Sequence, residues 1–249
     1  MKISQNTILI TGGGSGIGFE TAKLLAEFGN TVILTGRNEE KLKRATEQIE
    51  NSYYIVADIT NEYDVKMLVK RINLDYPNLN MLVNNAGLAF LHNLIDSPDA
   101  ELYARAEMET NYFGPINLTT QLLPLLKKQP HAAVINISSI VAFAPGLSLP
   151  TYSASKAALH SYTQALRLSL AEKTNVKVFE IMPPLVDTAF AKDIPSDKKI
   201  SPRKVAEEFI YGLESNNFEV RVASTEHLYM NFLSKSDQAV LALNGLDLN

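Results

Sequence analysis

The sequence predicts an α/β fold: a doubly wound parallel sheet of about seven strands, with helices on both faces, in a single domain spanning residues 1–249. Three observations carry this. Short apolar runs alternate with helix-length segments six times along the chain. A glycine-rich turn joins the first run to the first helical segment. The 249 residues are 46% apolar and 20% charged, enough for one sizeable core, and no linker or low-complexity tract divides them.

The strands come first in each unit. "TILIT" (7–11), "TVILTG" (31–36), "YYIVAD" (53–58), "LNMLVNN" (79–85), "AAVINIS" (132–138) and "VKVFEIM" (176–182) are nearly continuous apolar runs. That pattern fits strands covered on both faces. Between them, 16–28 places Ile17, Ala22, Leu24, Leu25 and Phe28 mainly on one side. The segment 38–50 opens on Asn38 as N-cap, with Glu39 and Glu40 in the first turn. Residues 61–74, about 99–127, 152–173 and 202–214 complete the alternation, and a last strand near "EVRVA" (219–223) precedes a helical C-terminal segment. The least regular stretch is 184–200, "PLVDTAFAKDIPSDKKI", which reads either as a flap over a cleft, hence a substrate loop, or as a surface loop.

Composition narrows the function classes. The net charge is −4 and the 23 Lys and Arg are dispersed, against a nucleic-acid-binding footprint. There is no cysteine, and the four histidines (His92, His131, His160, His227) lack metal-ligand spacing, so no metal site is expected. "MKISQNTILIT" does not read as a signal peptide, and no apolar run approaches the ~20 residues of a membrane span. The expectation is a cytoplasmic protein.

The turn "TGGGSGIG" (Thr11–Gly18) sits where glycines let backbone approach a pyrophosphate at a helix N-terminus, the Rossmann-type arrangement. At the end of the second strand, where an acid would hold a ribose, Gly36 is followed by Arg37, a partner for a 2′-phosphate. Further on, Ser138 and Ser139 lie at a strand's carboxyl end. "TYSASKAALHSY" then starts a helix with Tyr152 and Lys156 one turn apart on nearly the same face. That spacing alone occurs by chance; the ordered set does not.

In this form, T-G-x-x-x-G-x-G with Gly12, Gly16 and Gly18, followed by "NNAG" (84–87) and Ser…Tyr-x-x-x-Lys, the chain resembles the short-chain dehydrogenase/reductase family in its compact single-domain form over about residues 5–215. The resemblance implies a nicotinamide cofactor, NADP(H) rather than NAD(H). It implies cofactor contacts from Gly12, Ser15, Gly16, Ile17, Gly18, Arg37, Asp58, Ile59, Asn84, Ala86 and Gly87, and from Tyr152, Lys156, Pro183, Val186 and Thr188. Asp58 would meet the adenine amino group, or else cap the next helix. Asn84 would support the adenosine side and brace the sheet.

The resemblance also implies a catalytic set. Tyr152 is the acid/base, Lys156 lowers its pKa and holds the nicotinamide ribose, Ser139 polarises the substrate oxygen, and Asn111 of "TNYFG" holds a water of a proton relay. The reaction would move a hydride between nicotinamide C4 and a carbonyl or secondary alcohol, in a homodimer or homotetramer. Where the family carries Pro-Gly-x-Val-x-Thr, this chain has "PPLVDT" (183–188), with Pro184 for the glycine, and is similar to a bacterial, DltE-like branch of oxidoreductases. Asn80 stands where an Asp is common and reads as structural. Two other readings stay open: a catalytically silent cofactor-binding sensor or interaction protein on the same fold, and an epimerase or dehydratase using the same Tyr/Lys pair.

Overall fold

The computed structural model describes residues 1–246. Seven strands form one sheet in the order β3-β2-β1-β4-β5-β6-β7, and every neighbouring pair is parallel. The strands are β1 (Thr7–Thr11), β2 (Thr31–Gly36), β3 (Ser52–Val56), β4 (Met81–Asn84), β5 (Ala132–Ile137), β6 (Val176–Met182) and β7 (Glu219–Arg221). The order reverses between β1 and β4, which opens a crevice at their carboxyl ends, where ligands bind in open α/β sheets.

The apolar runs are continuous because successive residues feed opposite layers. Ile8, Ile10, Leu34, Val83, Ile135 and Phe179 face one core, closed by helices α1 (Gly16–Glu27), α2 (Glu39–Thr46) and α7 (Pro202–Ser215). Leu9, Ile33, Leu82, Val134 and Val178 face the other, closed by α3 (Glu62–Asp75), by α5 (Gly114–Leu126) and by α6 (Pro150–Ala171). Asn38 caps α2 by accepting from Lys41 N–H, as its position predicts. Asn80 is structural: its side chain accepts from Thr7 N–H and donates to Asn6 Oδ1 and the His131 carbonyl, tying the starts of β1 and β5 to the approach to β4.

Three expectations gain detail. The segment 99–127 is not one uninterrupted α-helix but α4 (Ala100–Met108), a π-helical turn (Glu109–Phe113) and α5. The C-terminal segment is two helices, α8 (Ser224–Ser234) and α9 (Ser236–Leu243). The stretch 184–200 is zipped at its ends: Ile200 N–H donates to the Leu185 carbonyl and Asp187 N–H to the Ile200 carbonyl, with a short helical turn at Ala189–Ala191 between them.

Candidate active site

The β1/β4 crevice continues into a cleft of about 570 Å³. Its floor is the glycine turn. Gly12 and Gly16 have φ of +65° and +57°, which only glycine adopts without strain. A Cβ on Gly16 would lie 3.2 Å from Thr188 Cγ2, so the turn and the segment after β6 close on each other across the cleft. A Cβ on Gly18 would lie 2.5 Å from Asn85 Nδ2 and 2.6 Å from the Gly12 carbonyl. Gly18 therefore shapes the turn from behind and does not line the cleft. Ser15 precedes α1 without making a side-chain cap, and the first turn carries no acid. The helix N-terminus is left to an anion, so the residues present fit a dinucleotide pyrophosphate.

Asn85 escaped the sequence reading. Its side chain donates to the Thr11 and Gly12 carbonyls, while the buried Thr11 hydroxyl accepts from the backbone N–H of Asn85 and Ala86. These bonds lock β4 to the glycine turn. Asn84, expected on the adenosine side, points the other way. It is buried beneath the sheet, donating to Thr119 Oγ1 and Asn136 Oδ1, and does not line the cleft. Strand alternation sends one of two adjacent asparagines to each face. Asn84 braces the sheet, and of the two it is Asn85 that lines the cleft.

Arg37, Asp58 and Ile59 line the far end of the cleft. The Arg37 guanidinium is largely exposed, 4.0 Å from the Asp58 carboxylate, a pair worth little in water. Asp58 does not cap the following helix: Asn61 does, accepting from Tyr63 and Asp64 N–H. The Asp58 carboxylate instead accepts from the backbone N–H and hydroxyl of Thr60 and faces the cleft.

At the other end, Ser139, Tyr152 and Lys156 line one wall. Tyr152 and Lys156 are buried on α6, with Lys156 Nζ 5.6 Å from the Tyr152 ring centre. Lys156 Nζ donates to the Ile137 carbonyl at 2.8 Å, at the end of β5. Burial pushes the Lys156 ammonium down to about 8, against a smaller upward pull from Glu180. Burial raises the Tyr152 phenol above its ordinary value; a hydrogen bond with Ser139 pulls it back and the charge of Glu107 adds to the rise. Ser139 lies two residues past the end of β5, and its hydroxyl also accepts from Val141 N–H.

Asn111 sits in the π turn, fully buried and off the cleft wall. Its Oδ1 accepts from Leu88 N–H, and its Nδ2 donates to the Leu88 carbonyl and to Ser155 Oγ. Ser155 in turn donates to the Tyr152 carbonyl. A Cβ on Gly87 would lie 3.5 Å from Asn111 Oδ1 and 3.9 Å from Lys156 Nζ, so the carboxamide and the ammonium flank the same glycine.

Pro183, Pro184, Val186 and Thr188 complete the rim, with all peptide bonds trans. The Pro183 carbonyl accepts from Ile140 N–H, tying this segment to the loop after β5. The wall beyond Tyr152 is apolar: Val141, Leu149, Leu185, Phe190, Ile194 and Leu243, with the Phe190 ring 5.8 Å from that of Tyr152. The end of α9 is stapled there, Asn244 donating to the Pro145 carbonyl and accepting from Leu147 N–H. Among the described residues no group of three or more potential metal ligands occurs, and no helix is long and apolar enough to cross a membrane.

Comparison with known proteins accounts for this arrangement. The family model described as short chain dehydrogenase matches residues 6–199. An uncharacterized oxidoreductase of Bacillus subtilis (strain 168), DltE, is 37% identical over 233 residues, 92% of each chain. An uncharacterized oxidoreductase of Staphylococcus aureus (strain MW2) is 38% identical over 215 residues, 85% of this chain and 92% of that one. A short chain dehydrogenase from Burkholderia cenocepacia J2315, solved in complex with NADP, superposes with a TM-score of 0.86 at 30% identity, covering 98% of this chain and 99% of that one. A short chain dehydrogenase/reductase from Burkholderia phymatum, in complex with NAD, gives 0.87 at 20% identity over 100% and 99%, a likeness of fold. A chain with this sheet, this glycine turn and these relatives belongs to the short-chain dehydrogenase/reductase family and is an NAD(P)-dependent oxidoreductase.

Proposed function

We propose that the protein is an NADP(H)-dependent reductase of a carbonyl compound with an apolar body, or the corresponding alcohol dehydrogenase, with Tyr152 as its acid/base. The observation that carries this is the convergence of Ser139, Tyr152 and Lys156 on one cleft wall, beside an apolar mouth. A bound nicotinamide would supply or accept the hydride, and its oxidised form would carry a positive charge that favours the phenolate. Ser139 hydrogen-bonds the substrate oxygen and orients it toward the Tyr152 hydroxyl. Tyr152 gives its proton to that oxygen in reduction and takes it back in oxidation. Burial alone disfavours the phenolate, so the Lys156 ammonium must offset it; with a pKa of about 8 it is mostly charged at neutral pH. Asn111 fixes the backbone at Leu88 and, through Ser155, the first turn of α6. In the proposed relay it also places a water beside Lys156.

Arg37 supports NADP(H) over NAD(H). It is exposed at the adenosine end, and no carboxylate occupies position 36. Gly12, Ser15, Gly16 and Ile17 would hold the pyrophosphate, Asp58 and Ile59 the adenine, Asn85, Ala86 and Gly87 the adenosine side, and Pro183, Val186 and Thr188 the carboxamide. The stretch 184–200 is the proposed substrate loop, because Leu185, Phe190 and Ile194 form the apolar wall. Exposed Leu102, Phe113 and Leu168, on α4, the π turn and α6, support a homodimer or homotetramer packed through those helices, which sedimentation would test.

The deciding experiment titrates the purified protein with NADPH and NADH and then follows cofactor absorbance with apolar ketones and aldehydes. Tight NADPH binding and turnover lost in Tyr152→Phe are expected. Binding with no turnover of any carbonyl, and no change in Tyr152→Phe, would instead make the protein a sensor.

A further inference from the structure

Behind the proposed site lies a carboxylate that the mechanism above does not use. Glu180 is on β6 and completely buried. Strand register places it beside Asn136 of β5, one residue before Ile137, whose carbonyl receives the Lys156 ammonium. Glu180 therefore lies one strand over and one residue back from the lysine head. From α6, His160 stands one turn beyond Lys156 and its Nδ1 meets Glu180 Oε2 at 2.9 Å. The second oxygen, Oε1, is buried and has no hydrogen-bond partner among the described residues.

Glu180 is sealed from solvent while His160 stays partly exposed, and the nearby charges are paired among themselves. The Phe143 ring lies edge-on to His160 at 5.1 Å and packs on Tyr229 at 4.7 Å; the Arg221 guanidinium covers Tyr229 at 3.7 Å. Glu219, beside Glu180 on β7, is already paired with Arg167 and Arg221. On the α6 side Asn136 is neutral and donates to Thr163. Lys156 itself is faced by Tyr152 on its own helix, by the Ile137 carbonyl and by Asn111 across Gly87.

A half-satisfied buried carboxylate is a poor device for stability alone, because a buried polar atom without a partner destabilises the fold. An apolar residue at 180 would avoid that cost, and the neighbouring Phe179 and Ile181 are of that kind. What a carboxylate adds at this place is a field. We propose that Glu180, anchored by His160, is a positioning residue that holds the Lys156 ammonium in its charged form next to Tyr152. The proposal rests on the reading of Lys156 and Tyr152 as a working pair. The upward pull of Glu180 on Lys156 agrees with it in sign.

The test needs neither substrate nor cofactor. In protein labelled with ε-¹³C-lysine, the Lys156 resonance is assigned by its loss in Lys156→Met and followed against pH. Removing a negative charge next to a lysine disfavours the ammonium, so in Glu180→Gln the midpoint should fall by about one pH unit. Glu219→Gln, one strand further out and paired with arginines, should move it by less than a third of that. Should Glu180→Gln fail to fold, Glu180→Asp draws the charge back by one carbon and should shift the midpoint the same way by less. A folded variant of either kind with an unmoved Lys156 midpoint overturns the proposal, and so does an equal shift in Glu219→Gln. A rate of NADPH-dependent carbonyl reduction unchanged in Lys156→Met would sink the site reading instead, whatever the titration shows.

Discussion

The two ends of the cleft are built from different materials. At the β1–β2 end, the surface offered to a ligand is mostly backbone: two glycines at positive φ, an uncapped helix N-terminus, and Asn85 and Thr11 gripping the turn from behind. At the β5–β6 end it is side chains, with Tyr152 and Lys156 buried. Backbone can hold a phosphate without carrying charge of its own, so this end costs the fold little. Burying Lys156, Glu180 and Glu107 is expensive, and each of the three keeps a compromise: a lowered ammonium pKa, an unpartnered oxygen, a carboxyl pushed up by burial. The lesson is that binding and chemistry are separable in this molecule, and substitutions should separate them.

The sharpest break is Tyr152→Phe. Losing the proposed acid/base should lower kcat by about 10³-fold, while the Kd for NADPH, read by fluorescence titration, stays within about twofold. A matching loss of binding would mean the two ends are coupled. The converse is Gly18→Ala. Its new Cβ would collide with the Gly12 carbonyl and Asn85, so the turn must shift. A strain of about 2 kcal/mol would weaken NADPH by about 30-fold and leave the Lys156 titration where it was.

Lys156→Met tests the cost of the chemical end. With a folded pKa of about 8 against an ordinary 10.5, the folded chain binds fewer protons than the unfolded chain between those values. This group's contribution therefore makes stability rise with pH across that window. Below pH 8 the full penalty, roughly 3 kcal/mol, is present. The Ile137 carbonyl loses its partner in the variant, offsetting ~1 kcal/mol. Chemical denaturation at pH 7 should find the variant about 2 kcal/mol more stable, a gain that fades toward pH 10.5; a destabilised variant at pH 7 would contradict the burial argument. The smallest effect belongs to Arg37→Ala, which should weaken NADPH by about tenfold and NADH by less than twofold. Equal loss for both would remove the phosphate-recognition argument.

The same division explains what could be read from sequence. The sheet and the glycine turn were legible because strand runs and positive-φ glycines are local signals. The helix opening on Pro150 was legible enough to pair Tyr152 with Lys156. Asn85 was hidden because two adjacent asparagines at a strand end look alike until alternation assigns their faces. Glu180 and His160 were hidden for a stronger reason. His160 is one turn from Lys156, but Glu180 is twenty residues further on, and only the β5/β6 register and the packing of α6 bring it beside them. The break at 109–113 was invisible because "ETNYF" has ordinary helical composition; what sets it apart is the buried partner of Asn111.

That π turn can be restated as a matter of chain length. A π turn holds one residue more than an α turn in the same axial distance, so α4 and α5 are one helix carrying a one-residue insertion. The packing of α4 on α6 and of α5 on α3 tolerates it, because the surplus is absorbed within five residues. Deleting one residue there would remove that surplus. What it would take away is the bulge that turns a carboxamide inward to Leu88, so the whole contribution of Asn111 hangs on a single surplus residue just ahead of Pro115.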